Sequence, residues 1–189
     1  MSNNIFFDLS ELKYCGKNVI IGKTVRIRYP HLVSIGDNCI IDDFTHISTA
    51  LELEGFNHIS AGCKIIGGVN SKLVMKPFST FSPNVVVAAG SDDYFSGIAT
   101  PMVDIEFKGD VEYGNVIIGR HSIIGSGSVI LPNTIINDGA TVGALSLVNK
   151  DLEAWFLYAG IPAKKIKNRS KDKILQLEKD FLLKTNNLK

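Results

Sequence analysis

A period of six residues dominates this sequence. Stepping by six from Ile118 gives Ile124, Ile130, Ile136, Val142 and Val148, all β-branched. Four residues after each member stand Ser122, Ser128, Thr134, Ala140, Ser146 and Leu152, five of the six being small. The chain holds 23 Ile and 14 Val among 189 residues. Six such hits in one chosen frame therefore arise by chance about 6 times in 10⁵. A second run, Ile35, Ile41, Ile47, Leu53, Ile59 and Ile65, is nearly as regular, and Ile21, Ile27 and Val33 lead into it. A weaker stretch puts Leu73, Ser79 and Val85 at the large position and Pro77, Pro83 and Ala89 at the small one. Between runs the frame slips by two residues, as small insertions at corners would make it do.

In an extended segment, residues two apart share a face. Ser128 and Ile130 therefore point one way and Val129 the other, and a turn must follow before Thr134 and Ile136 restart the pattern. Gly125, Gly127, Gly139, Gly143, Asn133 and Asn137 supply turn-tolerant residues at the required places. Short strands and corners repeating every six residues describe a coil that stacks on itself around an aliphatic column. A sandwich, with turn signals every 8 to 12 residues, fits this spacing badly.

Composition narrows the function. The formal charge is +1, from 20 basic and 19 acidic residues, without the concentrated positive surface that nucleic-acid binding requires. Apolar stretches such as 85–89 are far too short to cross a bilayer. The first residues carry neither the basic segment nor the long apolar run of a secretory signal. Three cysteines without a close pair give no disulfide framework. The expectation is a cytoplasmic protein with reduced thiols and neither a nucleic-acid nor a membrane partner.

The hexapeptide pattern resembles the hexapeptide-repeat acyltransferases across residues 19–168. That resemblance implies an all-β fold, a left-handed parallel β-helix with three hexapeptides per coil, assembled as a homotrimer with active sites between subunits. A domain over 1–168 is expected, interrupted by an inserted loop at 91–115 that matches no frame. A helical cap follows over 169–189, where Ile174, Leu177, Phe181 and Leu182 make one apolar stripe between 170 and 185.

Val142-Gly-Ala-Leu-Ser-Leu-Val-Asn-Lys-Asp and Tyr158-Ala-Gly-Ile-Pro-Ala-Lys-Lys-Ile-Lys resemble the ending of the galactoside, maltose and sugar acetyltransferases. The resemblance implies acetyl-CoA as co-substrate. Carried over by position, Ser126 and Ala144 accompany the pantetheine arm, Asn149 and Lys150 stand near the adenine end, and Lys164 and Lys167 meet phosphates.

The catalytic segment departs from those O-acetyltransferases. Aligned without a gap on Phe81-Ser-Pro-Asn-Val-Val-Val-Ala-Ala-Gly-Ser-Asp, their histidine base falls on Asp92. A hydroxyl acceptor needs its proton removed as it attacks, whereas a neutral amine already offers a lone pair. The substitution points to an amino-sugar acceptor linked to a nucleotide, with Asp92 or Asp93 orienting the amine or taking its late proton. Tyr94 and Phe95 are candidates for stacking on sugar or base, or for anchoring the loop. His121 is the reserve base if the acceptor is a hydroxyl, and a trimeric scaffold without chemistry is the further alternative. No pair of the four histidines has the five-residue spacing of the zinc-binding members, so no metal is expected. Cys39 and Cys63 read as buried small residues.

Overall fold

The computed structural model describes residues 4–186. The chain winds into a parallel β-helix with three faces, each a ladder of short strands. Face I stacks Ile20–Ile21, Ile40–Ile41, His58–Ile59, Thr80–Phe81, Ile123–Ile124, Thr141–Val142 and Phe156–Ala159. Face II stacks Arg26–Ile27, 46–48, 64–66, Val86–Ala88, Val129–Ile130 and Leu147–Val148. Face III stacks Tyr14–Cys15, Val33–Ile35, 51–53, 73–75, Asn115–Ile118 and Ile135–Ile136. Strands this short cannot stand alone. Each is held because its N–H groups bond to the next coil, as Arg26 N does to Thr45 O and Val129 N to Ser146 O.

At the large position one residue from each face projects inward, and successive coils align these residues in columns; on face III Val33, Leu51, Leu73 and Val116 are buried as well. Face I contributes Ile41, Ile59, Phe81, Ile124 and Val142; face II contributes Ile47, Ile65, Val87, Ile130 and Val148; face III contributes Ile35, Leu53, Met75, Ile118 and Ile136. None is more than 3% exposed. The register corrects one expectation. Met75, Phe81 and Val87 pair with Ile118, Ile124 and Ile130 at the large position. Ser79 and Val85 are buried at the small one, and their carbonyls accept from His58 N and Lys64 N. The insertion that shifts the frame lies at 67–71, where the strand Lys64–Met75 passes from face II to face III. Pro77 and Pro83 belong to corners instead of the core.

The corners turn through the left-handed backbone region. Between faces III and I that conformation falls on Asn18, Asn38, Phe56, Phe78, His121, Gly139 and Trp155. At Gly139 a Cβ would sit 2.3 Å from the Trp155 ring, so glycine is required for space as well as conformation. The corner side chains stack: Phe56 on Phe78 with centroids 4.7 Å apart, and Phe78 on His121 at 5.3 Å.

An α-helix, α1 (Lys171–Asn186), lies against this edge. Phe181 meets Phe56 and Phe78 edge-on, and Glu178 takes both Arg120 and His121. The helix therefore packs on this chain's own corner. Residues 1–3 and 187–189 of the two expected domains lie outside the described residues. No helix among the described residues is long and apolar enough to cross a membrane.

Candidate active site

The three edges differ, and the difference places the site. The edge between faces III and I is covered by α1. The edge between faces I and II is left bare by α1, and around Ser126 it is built mostly of small residues, with Leu145 exposed among them. Ser126 and Ala144 are both exposed there, eighteen residues and one coil apart. Leu145 N donates to Ser126 O, and a Cβ on Gly125 would sit 2.5 Å from Ala144 N. One coil on, Gly160 O accepts from Leu147 N, followed by a cis Ile161–Pro162 bond. Ser82, part-exposed, turns the same edge one coil before Ser126. In register it stands below Gly125, with Pro83 below Ser126, and its N–H donates to Ile124 O. Serine after a strand is ordinary corner chemistry, so no signal in the sequence singles it out.

Past this edge the chain runs back along face I as Lys164–Asn168, antiparallel to Phe156–Ala159. Lys164 and Lys167 are exposed. Their neighbour Lys165 is engaged, bonded to Glu153 at 2.6 Å with its ammonium 3.9 Å from the Phe156 ring centroid. Asn149 and Lys150 follow the face II strand and are exposed at the opposite edge, between faces II and III. One protomer thus joins Ser126, Ala144 and the Lys164 strand but separates them from Asn149 and Lys150 by the width of face II.

The inserted loop leaves from that opposite edge. Gly90–Ser91 pairs antiparallel with Glu112–Tyr113, so the loop starts and ends as a two-stranded stem before the coil resumes at Asn115. Asp93 organises its first turn. Its carboxylate accepts from Phe95 N at 2.8 Å, Ser96 N at 3.1 Å and Asp110 N at 3.1 Å, and from the Ser96 hydroxyl. The Ser96 bond above all, then the backbone donors, holds Asp93 well below the usual carboxylate range. Both its oxygens are occupied within the loop.

Asp92 is different. It is exposed, and among the described residues its carboxylate has no hydrogen-bond partner. It borders a cleft of about 330 Å³ with Gly67, Gly68, Lys108, Glu112 and Tyr113. Tyr94 is 87% and Phe95 100% exposed, so neither anchors the loop within its own chain.

His121 departs from the outward, cleft-facing position expected for it. Only 8% exposed, it stacks on Phe78 and bonds through Nε2 to Glu178 Oε2 at 2.8 Å. Burial, then Arg120 and Arg169, keeps it below the ordinary histidine pKa. His58 bonds Asp42 on face I, and His46 lies on face II. Burial raises the Cys63 thiol to about 11 and raises Cys39 as well, which makes both poor nucleophiles.

A family model described as bacterial transferase hexapeptide (six repeats) matches residues 115–150. The chain is 38% identical to a dTDP-4-amino-4,6-dideoxy-D-glucose acyltransferase of Escherichia coli over 174 residues, covering 89% of this chain and 88% of that one. Its fold superposes with a TM-score of 0.89 on AntD, an N-acyltransferase from Bacillus cereus crystallised with dTDP and 3-hydroxybutyryl-CoA, at 36% identity over 97% of this chain and 99% of that one. A maltose O-acetyltransferase from Clostridium difficile, at 20% identity and a TM-score of 0.58 over 85% of this chain and 72% of that one, shares the fold. Inward columns, bare corner, inserted loop and full-length likeness agree: the chain belongs to the hexapeptide-repeat acyltransferases, enzymes built on the left-handed parallel β-helix.

Proposed function

We propose that this enzyme transfers an acetyl group from acetyl-CoA to the amine of a nucleotide-linked 4-amino-4,6-dideoxy sugar. The observation that carries the reading is Asp92, an open carboxylate on the inserted loop at the alignment position of the O-acetyltransferase histidine. AntD has been crystallised with dTDP-4-amino-4,6-dideoxyglucose and coenzyme A. Its studied variants alter a serine and an aspartate ten positions apart, the spacing of Ser82 and Asp92 here.

The donor lies along Ser126 and Ala144, where exposed coil backbone can bond an extended amide chain, and Lys164 and Lys167 meet its phosphates. Asn149 and Lys150, at the opposite edge, reach the adenine end only from a second subunit. The neutral amine attacks the thioester carbonyl, forming the C–N bond and a tetrahedral oxyanion that the Ser82 hydroxyl or a coil N–H can stabilise. Collapse breaks the C–S bond and releases the coenzyme as thiolate. Asp92 accepts the proton surplus on nitrogen, and the thiolate is protonated on leaving. Asp93 holds the loop, and Tyr94 and Phe95 face the acceptor or an adjoining subunit. No metal enters this scheme. We place the enzyme in the cytoplasm, as a homotrimer.

Thiol release from acetyl-CoA across paired dTDP-linked acceptors, amine against hydroxyl at the same carbon, tests the reaction. Turnover with amines alone is expected; turnover with alcohols alone overturns the reading. Asp92→Asn is expected to lower kcat by about 10² with the Kd for acetyl-CoA unchanged.

A further inference from the structure

Following the bare edge towards the N-terminus, the chemistry changes from small and neutral to cationic. Arg26, His46 and Lys64 are register partners on face II, each just past the corner. Arg28 follows two residues after Arg26, its N–H donating to Ile47 O. Arg26, Arg28 and Lys64 are exposed, and among the described residues none of them meets a carboxylate. The lysines of face III behave otherwise: Lys72 and Lys76 pair with Glu52 and Glu54. Above Lys64 the same column continues as Val86, Val129 and Leu147, so the charge stops one coil short of the level of Ser82.

Arg26, whose guanidinium lies 5.7 Å from the Phe6 ring centroid, and Lys64 stand two rungs apart across His46, about 10 Å, and their like charges repel one another. A bound polyanion relieves that repulsion. Beside the row stands Phe44, 74% exposed with φ of 63°. That conformation is costly for a bulky residue, and a built network fixes it: Asp43 accepts from Thr24 N and Thr24 Oγ1, both at 2.7 Å, and Phe44 N donates to Thr24 Oγ1 at 3.1 Å. Phe56 and Phe78 share this conformation at another corner, but α1 covers them. Phe44 has no ring partner among the described residues.

We infer that the Lys64–His46–Arg26 row, with Arg28, seats the diphosphate of the acceptor, and that the Phe44 ring stacks on its nucleobase. This rests on the nucleotide-linked acceptor proposed above. The rungs fit: Lys64 lies about 5 Å and Arg26 about 15 Å below the coil that carries Ser82, the span of an extended hexose–diphosphate–nucleoside. Donor and acceptor then occupy one edge from opposite ends. The acyl-CoA descends past Lys164, Ala144 and Ser126, and the nucleotide sugar rises past Arg26 and Lys64.

The probe is dTDP-glucose, which has no amine to acylate and whose diphosphate gains no proton near neutrality. Calorimetry of the full-length protein should show Arg26→Gln/Lys64→Gln weakening dTDP-glucose binding by about thirtyfold or more and Phe44→Ala by about tenfold. Coenzyme A affinity and oligomer size should stay unchanged, as should all readouts in the control Lys17→Gln. His46 supplies a second readout. Burial, Arg26, Arg28 and Lys64 hold it below the ordinary histidine pKa, and a phosphate beside it must raise that value. Binding should therefore tighten from pH 8 to pH 6 with proton uptake, and His46→Gln should abolish the slope. Equal dTDP-glucose affinity in wild type and double variant overturns this site alone. Loss of oligomer in the variants makes the row a subunit contact and also overturns it. A wild-type protein that binds coenzyme A but not dTDP-glucose removes the nucleotide-linked acceptor itself.

Discussion

Asp92 and Asp93 are adjacent, carry the same side chain and are arranged for opposite tasks. Asp93 accepts three backbone N–H groups and a hydroxyl, and its lowered pKa records how fully its charge is used in holding the loop. A carboxylate so held is a weak base, because every donor that stabilises the anion opposes protonation. Asp92 has no such donors. His121 makes the complementary point. Its Nε2 is committed to Glu178, and Phe78 and α1 shield its ring. His121→Gln should therefore lower stability by about 1–3 kcal/mol through the lost buried bond and stack. The same variant should hold kcat with an amine acceptor within about threefold, since the proposed proton path does not include this residue. Thermal unfolding beside steady-state rates checks both, and a hundredfold fall in kcat at unchanged stability would make His121 the base.

The inserted loop carries the proposed base, Asp92, and is little supported by its own packing. Ile98, Met102, Ile105 and Phe107 are exposed on it, at 55% to 91%. Its order comes from the Gly90–Ser91/Glu112–Tyr113 stem and from Asp93. That contribution is full above the ordinary aspartate pKa near 4, and is lost only as pH falls through the lower folded value, so it is constant from pH 5 to 8. Asp93→Ala removes it at every pH. Cleavage between 92 and 111 by a nonspecific protease should quicken by about tenfold or more, while the melting of the coil, which has its own core, barely moves. The same contrast explains what the sequence discloses. The coil was legible because each inward position repeats a demand for a β-branched residue, as Ile118, Ile124 and Ile130 show. Around Met75 and Phe81 the demand was met by other shapes after an insertion, and the phase was misread. The helix was legible from Ile174, Leu177 and Phe181, but its docking was not, because Glu178 finds His121 and Arg120 across 57 residues or more of sequence separation. Asp93 and Asp92 could not be told apart at all: only backbone geometry decides which carboxylate is consumed.

At the scale of the whole molecule, the pieces of the proposed site leave from different edges of one prism. Ser82, Ser126 and Ala144 line the edge between faces I and II; Asp92, Tyr94 and Phe95 leave the edge between faces II and III. The loop stem is fixed to its own edge by the antiparallel pair, and the Asn133 amide donates to Glu112 at 2.8 Å. The cyclic trimer proposed above would resolve the separation by laying the loop of each copy over the bare edge of the next. Hybrid enzymes test this directly. Asp92→Asn subunits lack the base but keep the edge, whereas Ala144→Trp subunits keep the loop but block the donor. Each homotrimer should be nearly inactive. After joint unfolding and refolding at equal amounts, half the loops and half the edges are intact, and random assembly brings the two together at about a quarter of the interfaces. The mixture should recover about a quarter of wild-type turnover, with a melting temperature matching either parent. A mixture as inactive as its parents, despite exchanged subunits, would place loop and edge of a single copy in one site, and the neighbour would then serve stability alone.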